Sequence, residues 1–189
     1  MPTPPDRFLV PGRECGNCNA CCVELTIQDP ELRKAQGIRC HHARPDNRCG
    51  IYDTRPGTCR TFNCGWRRFA WVAPGLRPDQ SGILISMGVR SKPGGAKEQV
   101  VAFTIMGEGG LAAEGLAESV AAAVAAEIPV FLRVPGPPGY TAAEAEVNPI
   151  LIDPVQRRDK PGVLKALREA WEQGSGGERV PVFPEDQAS

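Results

Sequence analysis

All eight cysteines of this 189-residue chain fall between Cys15 and Cys64. That confinement limits what the first third of the chain can become. A secreted disulfide framework spreads its cysteines through a short chain behind a signal peptide. Here the start, MPTPPDRFLVPGREC, has neither a basic n-region nor an apolar h-region. The cytoplasm is therefore the expected compartment. Thiols stay reduced there, and closely spaced reduced thiols invite metal.

The spacings sharpen this. The first cluster is Cys15-x-x-Cys18-x-x-Cys21-Cys22. A C-x-x-C turn aims two sulfurs at one point, and Gly16, Asn17, Asn19 and Ala20 are small or turn-forming residues that permit it. Three cysteines so spaced can cap one face of a tetrahedral ion or of an iron–sulfur cube. No Cys-Pro follows at the ferredoxin position, so that motif is not matched. Adjacent side chains diverge, so either Cys21 or Cys22 serves a second site or is spare. The second cluster, Cys40, Cys49, Cys59 and Cys64, is spaced for a loop wrapped around a centre. His41 and His42 are further candidate ligands, although neighbours beside Cys40 cannot easily share one site. The expectation is that Cys15, Cys18 and at least two of the second cluster reach a common point.

Charge must balance too. Four thiolates on a zinc ion or a cubic cluster leave a net double negative charge. Arg48, Arg55, Arg60, Arg67 and Arg68 stand in or beside the second cluster. Arg60, directly after Cys59, is expected to offset that charge with Asp53 orienting it. Arg67 and Arg68 are expected at the surface. Tyr52, Phe62 and Trp66 are expected to form an apolar wall.

Over residues 14–66, CGNCNACC followed by C-x8-C-G-I-Y-D-x-R-P-x-x-C-R-x-F-x-C resembles the cysteine-cluster family of zinc- or iron-chelating proteins named for its C-x-x-C-x-x-C-C signature. The resemblance implies metal binding through Cys15, Cys18, Cys21, Cys22, Cys40, Cys49, Cys59 and Cys64. It leaves open zinc or an iron–sulfur cluster, and one centre or two. A similar module occurs in flagellin lysine N-methylase, which opens an iron–sulfur redox protein or enzyme as the alternative to an accessory or structural metalloprotein. Residues 76–189 carry no motif matching that methylase.

The remainder excludes some classes. Lysine plus arginine equals aspartate plus glutamate, 22 each, which is not the footprint of a nucleic-acid binder. No apolar run is long enough to span a bilayer. The only partner implied is the metal ion or cluster. With 21 glycines and 19 prolines, loops should be many and strands short.

The fold expected is α+β: a loop-rich cysteine metal module, 14–72, followed by a small sheet packed with two helices, 73–175. Residues 1–13 and 176–189 are expected as flexible tails. In the module, one turn of helix is expected from Asp29-Pro30. Beyond it, 82–89 reads as a strand with Ile83, Ile85, Met87 and Val89 on one face, and 98–105 as its hairpin partner. A helix over 109–127 leads to a strand at 130–134, in the manner of a βαβ crossover. PGPPGYTAAEAEVNP reads as loop, and the last helix as 160–173. Glu108, Glu114 and Glu118 read as a solvated helix face, Asp153 and Asp159 as turn and cap residues. No catalytic constellation stands outside the cysteines.

Overall fold

The computed structural model describes residues 9–184. The fold is α+β. Its cysteine region contains a short helix α1 (Ala20–Glu24), a two-stranded hairpin of β1 (Ile27–Asp29) and β2 (Leu32–Lys34), and two short helices, α2 (Gly57–Thr61) and α3 (Gly65–Arg68). A further short helix, α4 (Pro78–Ser81), leads into the body. There β3 (Ile83–Ser91) and β4 (Lys97–Ile105) precede α5 (Leu116–Ala125), β5 (Val130–Val134), β6 (Ala143–Glu146), α6 (Asn148–Gln156) and α7 (Lys160–Ser175).

The body is a four-stranded sheet in the order β3-β4-β5-β6. β3 and β4 form the expected hairpin, paired from Ile83↔Ile105 to Ser91↔Lys97. Gly94 and Gly95 at its tip take positive φ, which only glycine adopts freely. β5 lies parallel to β4 with α5 between them, so the crossover is present. β4 is buried at every position from Val100 to Ile105, as a central strand covered on both faces should be. Ile83, Ile85, Phe103 and Ile105 share one core with Leu116 and Val120 of α5, Leu151 of α6 and Leu167 of α7. Among the described residues no helix is long and apolar enough to cross a membrane.

The structure departs from the sequence reading at several places. Asp29 caps no helix. Its Oδ1 accepts from the Glu31 N–H at 3.1 Å, an Asx turn around Pro30 that closes the β1–β2 hairpin. The rest of the cysteine region is also less loop-like than expected, because α1, α2 and α3 each add a turn of helix. The helix expected over 109–127 is split into a 3-10 turn, Glu108–Ala112, and α5. Gly115 makes the break: its φ is +85°, and a Cβ there would lie 2.2 Å from that of Ala73. Met87 and Val89 are exposed, at 38% and 62%, because β3 runs out past the core.

Two elements hide in the stretch read as loop and just beyond it. β6 has the unpromising sequence AEAE, but its register against β5 and the Arg133–Glu144 ion pair hold it. α6 contains Pro149 at its first turn, where proline is tolerated, and Pro154 inside. It forms because Leu151 is fully buried and because the Asn148 side chain takes the Val130 N–H at 2.6 Å. Asp159 does cap α7, accepting from Gly162 N–H at 2.9 Å. Of the expected tails, 1–8 and 185–189 lie outside the described residues. Phe183 is 7% exposed beneath the Arg33 guanidinium of β2, and Pro181 bridges Tyr140, so residues 181–183 pack against both the cysteine region and the loop before β6.

Candidate metal centre

The cysteines come from separate elements. Cys15 and Cys18 flank a tight turn in which Cys18 N–H donates to the Cys15 carbonyl at 2.8 Å. Cys21 and Cys22 lie on α1, Cys59 on α2, and Cys64 at the residue before α3. Cys40 and Cys49 bound a loop closed by the Ala43–Cys49 bridge. Two packing contacts bring these pieces together. α3 sits against β3 so closely that a Cβ on Gly65 would overlap Ile85, at 2.4 Å. α2 is tied to β1 where Thr58 Oγ1 donates to Asp29 Oδ2 at 2.9 Å.

All eight cysteines are free thiols, and all eight line a single cavity of about 610 Å³. Leu84, Ser86 and Met87 of β3 and Arg133 of β5 form its wall on the sheet side. The thiols do not yet converge. Among the described residues no three histidine, cysteine, aspartate or glutamate side chains are drawn into a metal-ligating group. The expected common point is thus a common cavity instead. Burial, with further carboxylate or thiolate neighbours, pushes Cys18 up to about 11 and also raises Cys59 and Cys64. Cys21 is raised first by its hydrogen bond to Cys22 and then by burial. Cys22 is lowered by that same bond, with Lys34, Arg55 and Arg39 helping against burial. As a donor set, eight reduced thiols lining one cavity fit zinc or an iron–sulfur cluster. Binding would require the raised thiols to give up their protons.

The cations differ from expectation. Arg67, read as surface, is half-buried and places Nη1 3.7 Å from Cys15 Sγ. It is locked there by Asn63 Oδ1, accepting at 2.7 Å, and by the Arg13 carbonyl at 3.1 Å. No local signal marks this contact, since Cys15 lies 52 residues away in sequence. Arg60 is exposed at the cavity rim, with Asp29, not Asp53, as its carboxylate neighbour. Arg55 donates to the Tyr52 carbonyl at 2.8 Å and stacks on that ring at 3.7 Å. Arg48 is exposed.

Lys34 is the residue that sequence reasoning missed. It is 5% exposed, and its ammonium donates to the carbonyls of Val23, Ala35 and Ile38 at 2.7, 2.9 and 2.7 Å. Burial lowers its pKa, while Cys40, Glu24, Cys22 and Cys21 nearby favour the charged form. In sequence it sits in the charged run ELRK and reads as surface.

Of the expected apolar wall, Phe62 and half-exposed Tyr52 line the cavity, while Trp66 is buried behind it with its indole N–H on the Pro74 carbonyl at 2.7 Å. His42 lines the cavity; His41 is exposed, its ring tilted at 52° against that of His42 with centres 3.9 Å apart. Comparison with family models, curated proteins and solved structures finds no match for the chain.

Proposed function

We propose that this chain is a metalloprotein, accessory or structural in role, whose eight cysteines hold zinc or an iron–sulfur cluster. The family suggested by the C-x-x-C-x-x-C-C signature is part of the same proposal. One observation carries it: eight free thiols from separate elements line one cavity. Metal would supply what burial does not, a tie between loops that otherwise share little apolar contact. Lys34, Arg67 and Arg55 would offset the thiolate charge. The reading needs a compartment that keeps thiols reduced, and the cytoplasm is proposed on that ground. No nucleic-acid partner is proposed, since the charges balance.

A second reading, an iron–sulfur redox protein or enzyme, draws support from the size of the cavity, about 610 Å³, which exceeds the needs of one bare ion. Metal analysis and the visible spectrum of anaerobically purified protein separate the two. A colourless protein containing zinc supports the first reading. A brown protein with iron and sulfide supports the second. Protein that retains neither, and takes up neither on reconstitution, sinks both.

A further inference from the structure

The eight thiols are not spread evenly over the cavity wall. α1 runs between two apolar clusters. Ala20 at its start is buried in the large core, which also contains Cys64 and has Cys18 at its margin. Cys22, two residues on, packs against a smaller cluster of Ile27, Leu32 and Cys40, which Cys59 also borders. Successive helical residues point roughly 100° apart, so Cys21 and Cys22, although their thiols hydrogen-bond each other, leave α1 in different directions.

Other contacts follow the same division. Cys40 N–H donates to the Cys22 carbonyl at 2.9 Å, and the bridge at Ala43 brings Cys49 back beside Cys40. α2 is tied to β1 through Thr58, which sets Cys59 on the same cluster. On the other side, Arg67 spans from the turn after Cys64 to the sulfur of Cys15, and Cys15 is joined to Cys18 by its turn.

From this division we infer that the cavity holds two four-cysteine metal sites, Cys15, Cys18, Cys21 and Cys64 in one and Cys22, Cys40, Cys49 and Cys59 in the other. The inference rests on the metal-binding reading above and adds to it the count and the ligand sets. Cations stand at both sets: Arg67 Nη1 lies 3.7 Å from Cys15 Sγ in the first, and the buried Lys34 ammonium is bonded to the carbonyl of Val23, next to Cys22 of the second, at 2.7 Å. The adjacent pair Cys21-Cys22 then has a reason, since one short helix delivers a ligand to each site.

The test uses Zn²⁺ as the probe on the full-length reduced chain. Wild type should bind two equivalents. The Cys18→Ser, Cys64→Ser pair and the Cys40→Ser, Cys59→Ser pair should each retain about one, and the four combined should retain none. A measurement without variants guards against misfolding. Wild-type chain given one equivalent of Zn²⁺ is treated with a thiol-alkylating reagent and fragmented as intact molecules. Molecules that protect four thiols should protect one complete set. A single equivalent lost entirely with either pair, or protected thiols drawn from both sets in the same molecule, overturns the two-site division while leaving metal binding intact. A wild-type chain that binds no Zn²⁺ overturns the underlying reading and this one with it.

Discussion

The sheet body and the cysteine region are built on opposite terms. In the body, Ile83, Ile85, Phe103, Ile105, Leu116, Val120, Leu151 and Leu167 are each at most 1% exposed, and the strands supply continuous ladders. Burial alone accounts for such a core, since each large apolar side chain contributes roughly 1.5–3 kcal/mol. The cysteine region has a separate cluster of only Ile27, Leu32 and Cys40. Ala20, Cys64 and Trp66 anchor its two ends in the core of the body. Ordering each residue costs about 1–2 kcal/mol in backbone entropy, and the small cluster leaves the loops between Cys22 and Cys59 with little apolar burial to offset it. The comparison teaches where the cysteines belong in the energetics: they stand where the apolar residues are missing.

Metal removal should break the two regions apart, and this is the largest effect expected. Structural zinc in isolated fingers is worth about 10–16 kcal/mol. Stripping the metal should abolish hydrogen-exchange protection in β1, β2 and α2, while β3, β4 and β5 keep theirs. Uniform protection before and after chelation would erase the distinction. The converse perturbation is Phe103→Ala. It should cost the body about 3–5 kcal/mol in denaturant unfolding. Metal content of the folded fraction should stay at the wild-type level. If that variant also lost its metal, the regions would form one cooperative unit.

Lys34→Met probes the cysteine region from inside. The substitution keeps length but removes the charge and leaves the carbonyls of Val23, Ala35 and Ile38 unpaired, each at roughly 1–3 kcal/mol. Zinc retention under a chelator should fall by roughly tenfold to a hundredfold. Lys92→Met, which removes an exposed ion pair on the β3–β4 hairpin, should leave it unchanged. Next in size is Arg67→Ala, about tenfold in the same assay, with Arg60→Ala and Arg68→Ala smaller. Arg60 equalling Arg67 would return the cationic role to the cavity rim.

These residues also show how far sequence carries. The β3–β4 hairpin, the crossover through α5 and the start of α7 were legible because period-2 alternation, helical spacing and a cap at Asp159 are local signals. The grouping of the eight cysteines was legible from their spacing. Arg67 was misplaced and Lys34 overlooked because their roles depend on carbonyls and sulfurs that only the fold brings to them. β6 and α6 were missed for a related reason. Alanine, glutamate and proline argue against regular structure, and only the edge of β5 and the pocket for Leu151 overrule them.

The smallest effect expected lies at the far end of the sheet, where burial gives way to charge. Glu98 Oε1 takes the Lys92 ammonium at 2.6 Å, and Oε2 takes Arg90 Nε at 2.7 Å. Hydrogen bonds from Lys92 and then Arg90 hold the Glu98 carboxyl below its ordinary value of 4.5. A carboxylate depressed in the folded state stabilises above its unfolded pKa, and the contribution is lost as pH falls through the lower folded value. Glu98→Gln should therefore lower Tm by about 1 °C at neutral pH in low salt. The difference should shrink in high salt, where exposed pairs are screened. It should vanish once the pH has fallen below the lowered folded value, where the wild-type carboxyl is protonated as well. Chelation should leave the difference unchanged, because the pair belongs to the sheet body alone. A Tm difference that depended on metal would mean that the hairpin tip and the cysteine region communicate through β3, and the division between the two regions would have to be redrawn along that strand.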